Sequence, residues 1–187
     1  MKNFMTPKGA AGFSNLTKPD TKFDDEGKYK TSITLTAEQA APLIALAEEE
    51  ANELAVLDKK TKKVVMPEGL KYPYEVNKDD ETVTFTFKSK KKPKLFDAKG
   101  NPIRDPELRV GGGSTIRVNG AFKAYEGFGG GVTAYLNEVQ IIKLVEFGGG
   151  GFGDESGDDE DGYVADNSAP ASEPQGDESE PEGPVDF

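Results

Sequence analysis

From Gly148 to Phe187 the chain carries thirteen aspartates and glutamates, many glycines and prolines, and no lysine or arginine. A segment of that composition cannot bury enough apolar surface to offset the entropy of ordering its backbone, roughly 1–2 kcal/mol per residue. We therefore expect residues 148–187 to form a Gly-rich hinge and a disordered acidic tail, and residues 1–147 to fold as one domain. The net charge of −11 conceals this division. With the tail's thirteen acids set aside, 21 acids face 23 bases, a body of net +2. Residues 82–147 are more basic still, with eleven Lys/Arg against six Asp/Glu. A mildly basic globule is tied to an acidic arm.

The chain contains neither cysteine nor histidine, which removes disulfide frameworks, zinc sites and Cys- or His-based catalysis together. The glycine clusters 111–113, 129–131 and 148–151 lack the Lys-Ser/Thr of a phosphate loop and read as turns. Asp154–Asp161 do not place the glycine and closing glutamate of a calcium loop in register. Most other acids fall in turns or on an exposed helix face, so neither enzyme, metal nor cofactor is expected. "MKNFMTPKGAAGF" has no signal-peptide apolar core, and no run approaches the ~20 apolar residues of a membrane span. The expected compartment is the cytoplasm.

Period-2 patterning dominates the body. "KYKTSITL" puts Tyr29, Thr31, Ile33 and Leu35 on one face, and a strand around 12–18 is expected to pair with it. Val83, Phe85 and Phe87 alternate inward in "TVTFTFK". Ile116, Val118 and Phe122 share one parity, with Thr115, Arg117, Asn119 and Lys123 on the other. The last strand changes parity between Leu136 and Val139, the mark of a bulge or a barrel corner. One helix starts at the cap Thr36, with Gln39 at capping-box distance and Leu43, Leu46, Ala47, Leu54 and Leu57 on its apolar stripe. Pro42 implies either an irregular first turn or a helix that begins there. Residues 58–81 read as a loop with a short strand pair, and "DAKGN" as a tight turn. Five strands and one helix fit a small closed or partly closed barrel.

Lys88, Lys90, Lys91, Lys92, Lys94, Arg117 and Lys123 lie among aromatic residues on or beside these strands. Such a mixture suits single-stranded nucleic acid: cations follow the phosphates, and exposed rings stack on any base at ~1–3 kcal/mol each. The lysine run taken alone is equally a solvated edge or a flexible loop. Phe122 shares parity with the core, which leaves Tyr125 and Phe128, in a glycine-flanked hairpin, as the stacking candidates. A tethered polyanion would compete for such a groove at roughly millimolar effective concentration. Asp186 and Phe187 then read as an apolar-plus-anionic hook for a partner protein.

"KPD" with "GKYKTSITLT", then "TVTFTFK", "FDAKGN", "GGGSTIRV", "AYLNEVQIIKLVEFGGG", "DGYVA" and a final "DF" follow one another in a specific order. In them the chain resembles the single-stranded DNA-binding proteins of short-tailed, T-odd-type bacteriophages. The resemblance implies a five-stranded OB-fold barrel with its helix between strands two and three, a homodimer, and roles in DNA replication, recombination and strand annealing in the host cytoplasm. It also implies tail contacts with the phage DNA polymerase and primase-helicase. Its DNA-contacting positions fall on Lys88, Arg117 and Tyr125. Departures are Lys90, where the family can place an aromatic, and Asn119, where it places a base. A different reading is an acidic-tailed chaperone or DNA mimic that never touches nucleic acid. The basic face opposes it, since a mimic needs none.

Overall fold

The computed structural model describes residues 1–22, 26–57 and 62–145. Every expectation attached to residues 148–187, Asp186 and Phe187 included, lies outside them. Along the chain run β1 (Lys2–Met5), β2 (Gly9–Asp20), β3 (Lys28–Thr36), α1 (Ala37–Ala51), β4 (Val56–Leu57), β5 (Val64–Val65), β6 (Tyr74–Val76), β7 (Thr82–Ser89), β8 (Lys94–Phe96), β9 (Pro102–Ile103), β10 (Thr115–Tyr125) and β11 (Gly131–Lys143). The protein is mainly β with one α-helix among the described residues.

Five strands pair in a closed cycle: β10 with β2, β2 with β3, β3 with β7, β7 with β11, and β11 back to β10. The helix lies between the second and third of them in chain order. The contacts of β11 with β7 and β8 are parallel, the others antiparallel. Strand alternation explains the arrangement. Ile33 and Leu35 on β3 meet Phe85 and Val83 on β7 in direct register, and all four are buried. Phe87, Phe122, Ile116, Val118, Leu136 and Val139 complete the centre, each contributing about 1.5–3 kcal/mol by burial. Phe4 on β1 closes one end against Phe122, with ring centroids 4.4 Å apart. The parity change in β11 is a register shift: Asn119 faces Glu138 while Gly120 faces Leu136.

Helix α1 begins at Ala37 with the capping box formed. Thr36 Oγ1 accepts from the Gln39 N–H at 3.3 Å, and Gln39 Oε1 accepts from the Thr36 N–H at 3.2 Å. Pro42 lies inside the helix, so the alternative of a helix starting there does not hold. The apolar stripe stops short of Leu57. Leu54 packs from a single 3₁₀ turn, Asn52–Leu54, and Leu57 belongs to β4. No helix among the described residues is long and apolar enough to cross a membrane.

Candidate nucleic-acid interface

The outer face of the strand cycle is polar because β3 and β7 send every second residue outward. Direct register aligns Ser32 with Thr86 and Lys30 with Lys88 across this seam. Asn15 on β2 continues the row beyond Lys30, and Tyr135 on β11 continues it beyond Lys88. Lys30 is held at 2.9 Å by Asp20, whose carboxyl is kept below the usual range first by the Lys22 N–H and then by Lys30. Lys88 is exposed and makes no ion pair among the described residues.

Beside Lys88 opens a cleft of about 280 Å³ whose lining includes Tyr125, Thr86, Thr133, Lys71, Tyr72 and Tyr74. Tyr125 reaches it from the end of β10, opposite Gly131. The bare backbone of Gly131 makes room for the ring, since a Cβ there would come within 2.9 Å of the Tyr125 hydroxyl. Glu50, fully buried on α1, steadies the approach. Its Oε1 accepts from the Ala124 N–H at 3.2 Å and lies 2.9 Å from the Met1 amino group. The far wall is the stretch "LKYPY". Lys71 donates its N–H to the Gly130 carbonyl and accepts from the Val132 N–H, and the Thr86 N–H bonds to the Pro73 carbonyl. Tyr74 turns inward against Phe85, ring centroids 5.4 Å apart, and its burial pushes the phenol pKa up.

The structure thus gathers Lys88 and Tyr125, sets Lys123 next to their cleft, and scatters the other predicted positions. Lys123 is exposed on β10 next to Thr133, which lines the same cleft. Phe128 stands at the hairpin tip, 96% exposed. Its φ of 55° is a conformation that non-glycine residues seldom hold. Lys91 and Lys92 are exposed in the β7–β8 connection. Lys90 is paired with Glu26, and Lys94 lies 3.7 Å from Glu138. Arg117 is partly tied up in structure, its Nε donating to the Thr6 carbonyl at 3.1 Å.

Two features escaped the sequence reading. Tyr135, 39% exposed, adds a ring next to Lys88. Its outward parity opposite Leu136 was available as a signal. Lys71 supplies a cation from a stretch read as a loop with a short strand pair, and there the lysine beside two tyrosines in "LKYPY" was the clue.

No family model matches the chain. The single-stranded DNA-binding protein of Escherichia phage T7 is 30% identical over 206 aligned residues, spanning 91% of this chain and 88% of that one. The crystal structure of gp2.5, a single-stranded DNA-binding protein encoded by bacteriophage T7, superposes with a TM-score of 0.64 at 25% identity, over 88% of this chain and 98% of that one. The single-stranded DNA-binding protein of bacteriophage Enc34, solved in complex with ssDNA, shares the fold with a TM-score of 0.60 at 16% identity, over 78% and 89% of the two chains. The chain belongs to the family of single-stranded DNA-binding proteins represented by that of phage T7.

Proposed function

We propose that this protein binds single-stranded DNA without regard to sequence, on the outer face that carries Lys88, Tyr125 and Tyr135. The observation behind this reading is the cleft lined by both Tyr125 and Lys88, a lysine that makes no ion pair among the described residues. A base can stack there while its phosphate meets a charge. Family membership supports the same reading: the T7 relative is named for single-stranded DNA binding, and the Enc34 protein was solved with that ligand. It is a binding protein and not an enzyme. A titration with single- and double-stranded oligonucleotides of equal length tests it. Preferential binding of the single strand is expected; absent binding would favour the chaperone or mimic reading, and equal binding of both would make this face a general nucleic-acid surface.

The finer reading goes further. The closed cycle of five strands is an OB-type barrel formed by residues 1–147, and residues 148–187 are its acidic tail. The protein acts as a homodimer in phage DNA replication, recombination and strand annealing in the host cytoplasm. Lys90, Lys91, Lys92, Lys94, Arg117, Lys123 and Phe128 extend the DNA path. The tail competes for the DNA face and recruits the phage DNA polymerase and primase-helicase through Asp186 and Phe187. Deleting residues 152–187 removes all thirteen tail acids, so single-strand affinity should rise, most of all at low salt. The gain should shrink as the screening length falls to ~8 Å near physiological ionic strength. Phe187→Ala should leave DNA affinity unchanged and weaken polymerase capture at least tenfold, the scale of one buried phenylalanine. A deletion that leaves affinity flat across salt would remove the tail from the competition.

A further inference from the structure

A second cavity, of about 210 Å³, opens where β10 and β11 meet the β8–β9 turn, lined by Met5, Phe96, Arg117, Asn119, Glu138 and Gln140 among others. Its polar groups are unbalanced. Gln140 spends its amide N–H groups on the carbonyls of Asp97 and Ala98, at 3.2 and 3.3 Å. Asn119 gives an N–H to Glu138 Oε2 at 3.1 Å. The turn beneath is rigid, because Asp97 accepts from the Asn101 side chain and from the Lys99 and Asn101 N–H groups. These bonds keep its carboxyl below the usual range. Acceptor capacity therefore remains: a further lone pair on each Glu138 carboxylate oxygen, beside the bond from Asn119 to Oε2 and the Lys94 contact of Oε1, and the amide oxygens of Asn119 and Gln140, which accept nothing from the described residues. Phe96, half-buried, and Met5, exposed, supply apolar surface beside them. Lys94 and Arg117 place positive charge at the rim, Lys94 at 3.7 Å from Glu138.

We propose that this cavity holds one unpaired base of the bound strand and favours guanine. The proposal rests on the single-strand reading above and qualifies its indifference to sequence at one position, where a modest base preference is superimposed on sequence-tolerant stacking. The volume lies below the roughly 300 Å³ at which drug-sized pockets begin, which suits a single ring system. Unstacked bases are read by hydrogen bonds to their Watson–Crick edges. Guanine offers N1–H and N2–H side by side, a pair of donors matched to the two oxygens of a carboxylate. Adenine and cytosine offer one amino group. Thymine offers a single N–H between two carbonyls, and both would face the Glu138 charge. Glu138 lies three residues beyond Tyr135, roughly 10 Å along β11, so one strand can stack on the ring and reach the cavity.

The test uses the full-length protein and fluorescence anisotropy with three strands of equal length: all dT, dT with one dG, and dT with one deoxyinosine, which lacks the 2-amino group. The dG strand should bind about fivefold or more tightly than all dT, the discrimination of a bidentate contact of roughly 1 kcal/mol or above. Deoxyinosine should lose most of that advantage. Glu138→Gln, a near-isosteric change of a partly exposed side chain, should abolish the dG advantage and raise affinity for all dT, since one carboxylate near the phosphates is gone. Equal binding of the three strands, or a dG advantage that survives Glu138→Gln, would overturn the cavity assignment and leave the single-strand reading intact. Failure to bind any of the strands would sink both.

Discussion

Replacing Gly120 by alanine should lower the melting temperature by roughly 10 °C, from a destabilisation of about 3 kcal/mol in a domain of this size. Gly120 lies on β10 at the register shift, sandwiched between β1 and β11. An added Cβ would sit 2.0 Å from the Tyr135 carbonyl oxygen and 2.8 Å from Phe4 Cζ. Neither can give way cheaply. The oxygen is backbone of the adjoining strand, and the Phe4 ring is packed on Phe122 and Phe87. Relief must come from parting β10 and β11, which moves Tyr135 as well, so single-strand affinity should fall together with stability. Gly112→Ala is the control: an added Cβ there meets nothing within 4 Å, and the change should stay within about 0.5 kcal/mol. Thermal unfolding of the two variants side by side decides it. Equal melting temperatures would mean that the β10–β11 pairing yields to an extra methyl group.

What could be read in advance was whatever period or spacing encodes locally. Val83, Phe85 and Phe87 announce their strand two residues at a time. Thr36 and Gln39 announce a helix start three residues apart, and Leu136 and Val139 betray the bulge between them. The candidate site obeys no such rule, because its parts meet through long-range backbone pairing. Lys71 reaches Gly130 and Val132, about sixty residues on, by two hydrogen bonds. Tyr135 comes beside Lys88 only because β11 runs parallel to β7 at that point, and alternation within either strand says nothing about such a neighbour. Arg117 illustrates the converse. Its parity correctly put it on the outer face, yet its Nε–H is donated to the carbonyl of Thr6, 111 residues away. Charge type was legible in the sequence, whereas charge availability depended on partners brought in by the fold.

The largest loss of DNA binding should come from changing Lys88 and Tyr125 together, on the order of a hundredfold at moderate salt. Tyr125→Ala removes a stacking face worth ~1–3 kcal/mol, whereas Tyr125→Phe keeps the face and should bind nearly as well as the parent. Lys88→Ala removes one phosphate contact and should flatten the log–log salt dependence by about 0.7. Lys88 is exposed and Tyr125 only half-buried, so loss of binding should precede loss of fold. Since both line one cleft, their effects should not add: with the ring gone, the strand is no longer held where Lys88 can reach its phosphate. A double variant weaker than the parent by less than the sum of the single losses is the expected pattern. Strict additivity would mean that the two residues touch different nucleotides. Equal losses for Tyr125→Ala and Tyr125→Phe would point to a hydrogen bond from the phenol in place of stacking. An unchanged salt slope in a folded Lys88→Ala would take that lysine off the DNA path, and with it the cleft as the centre of the site.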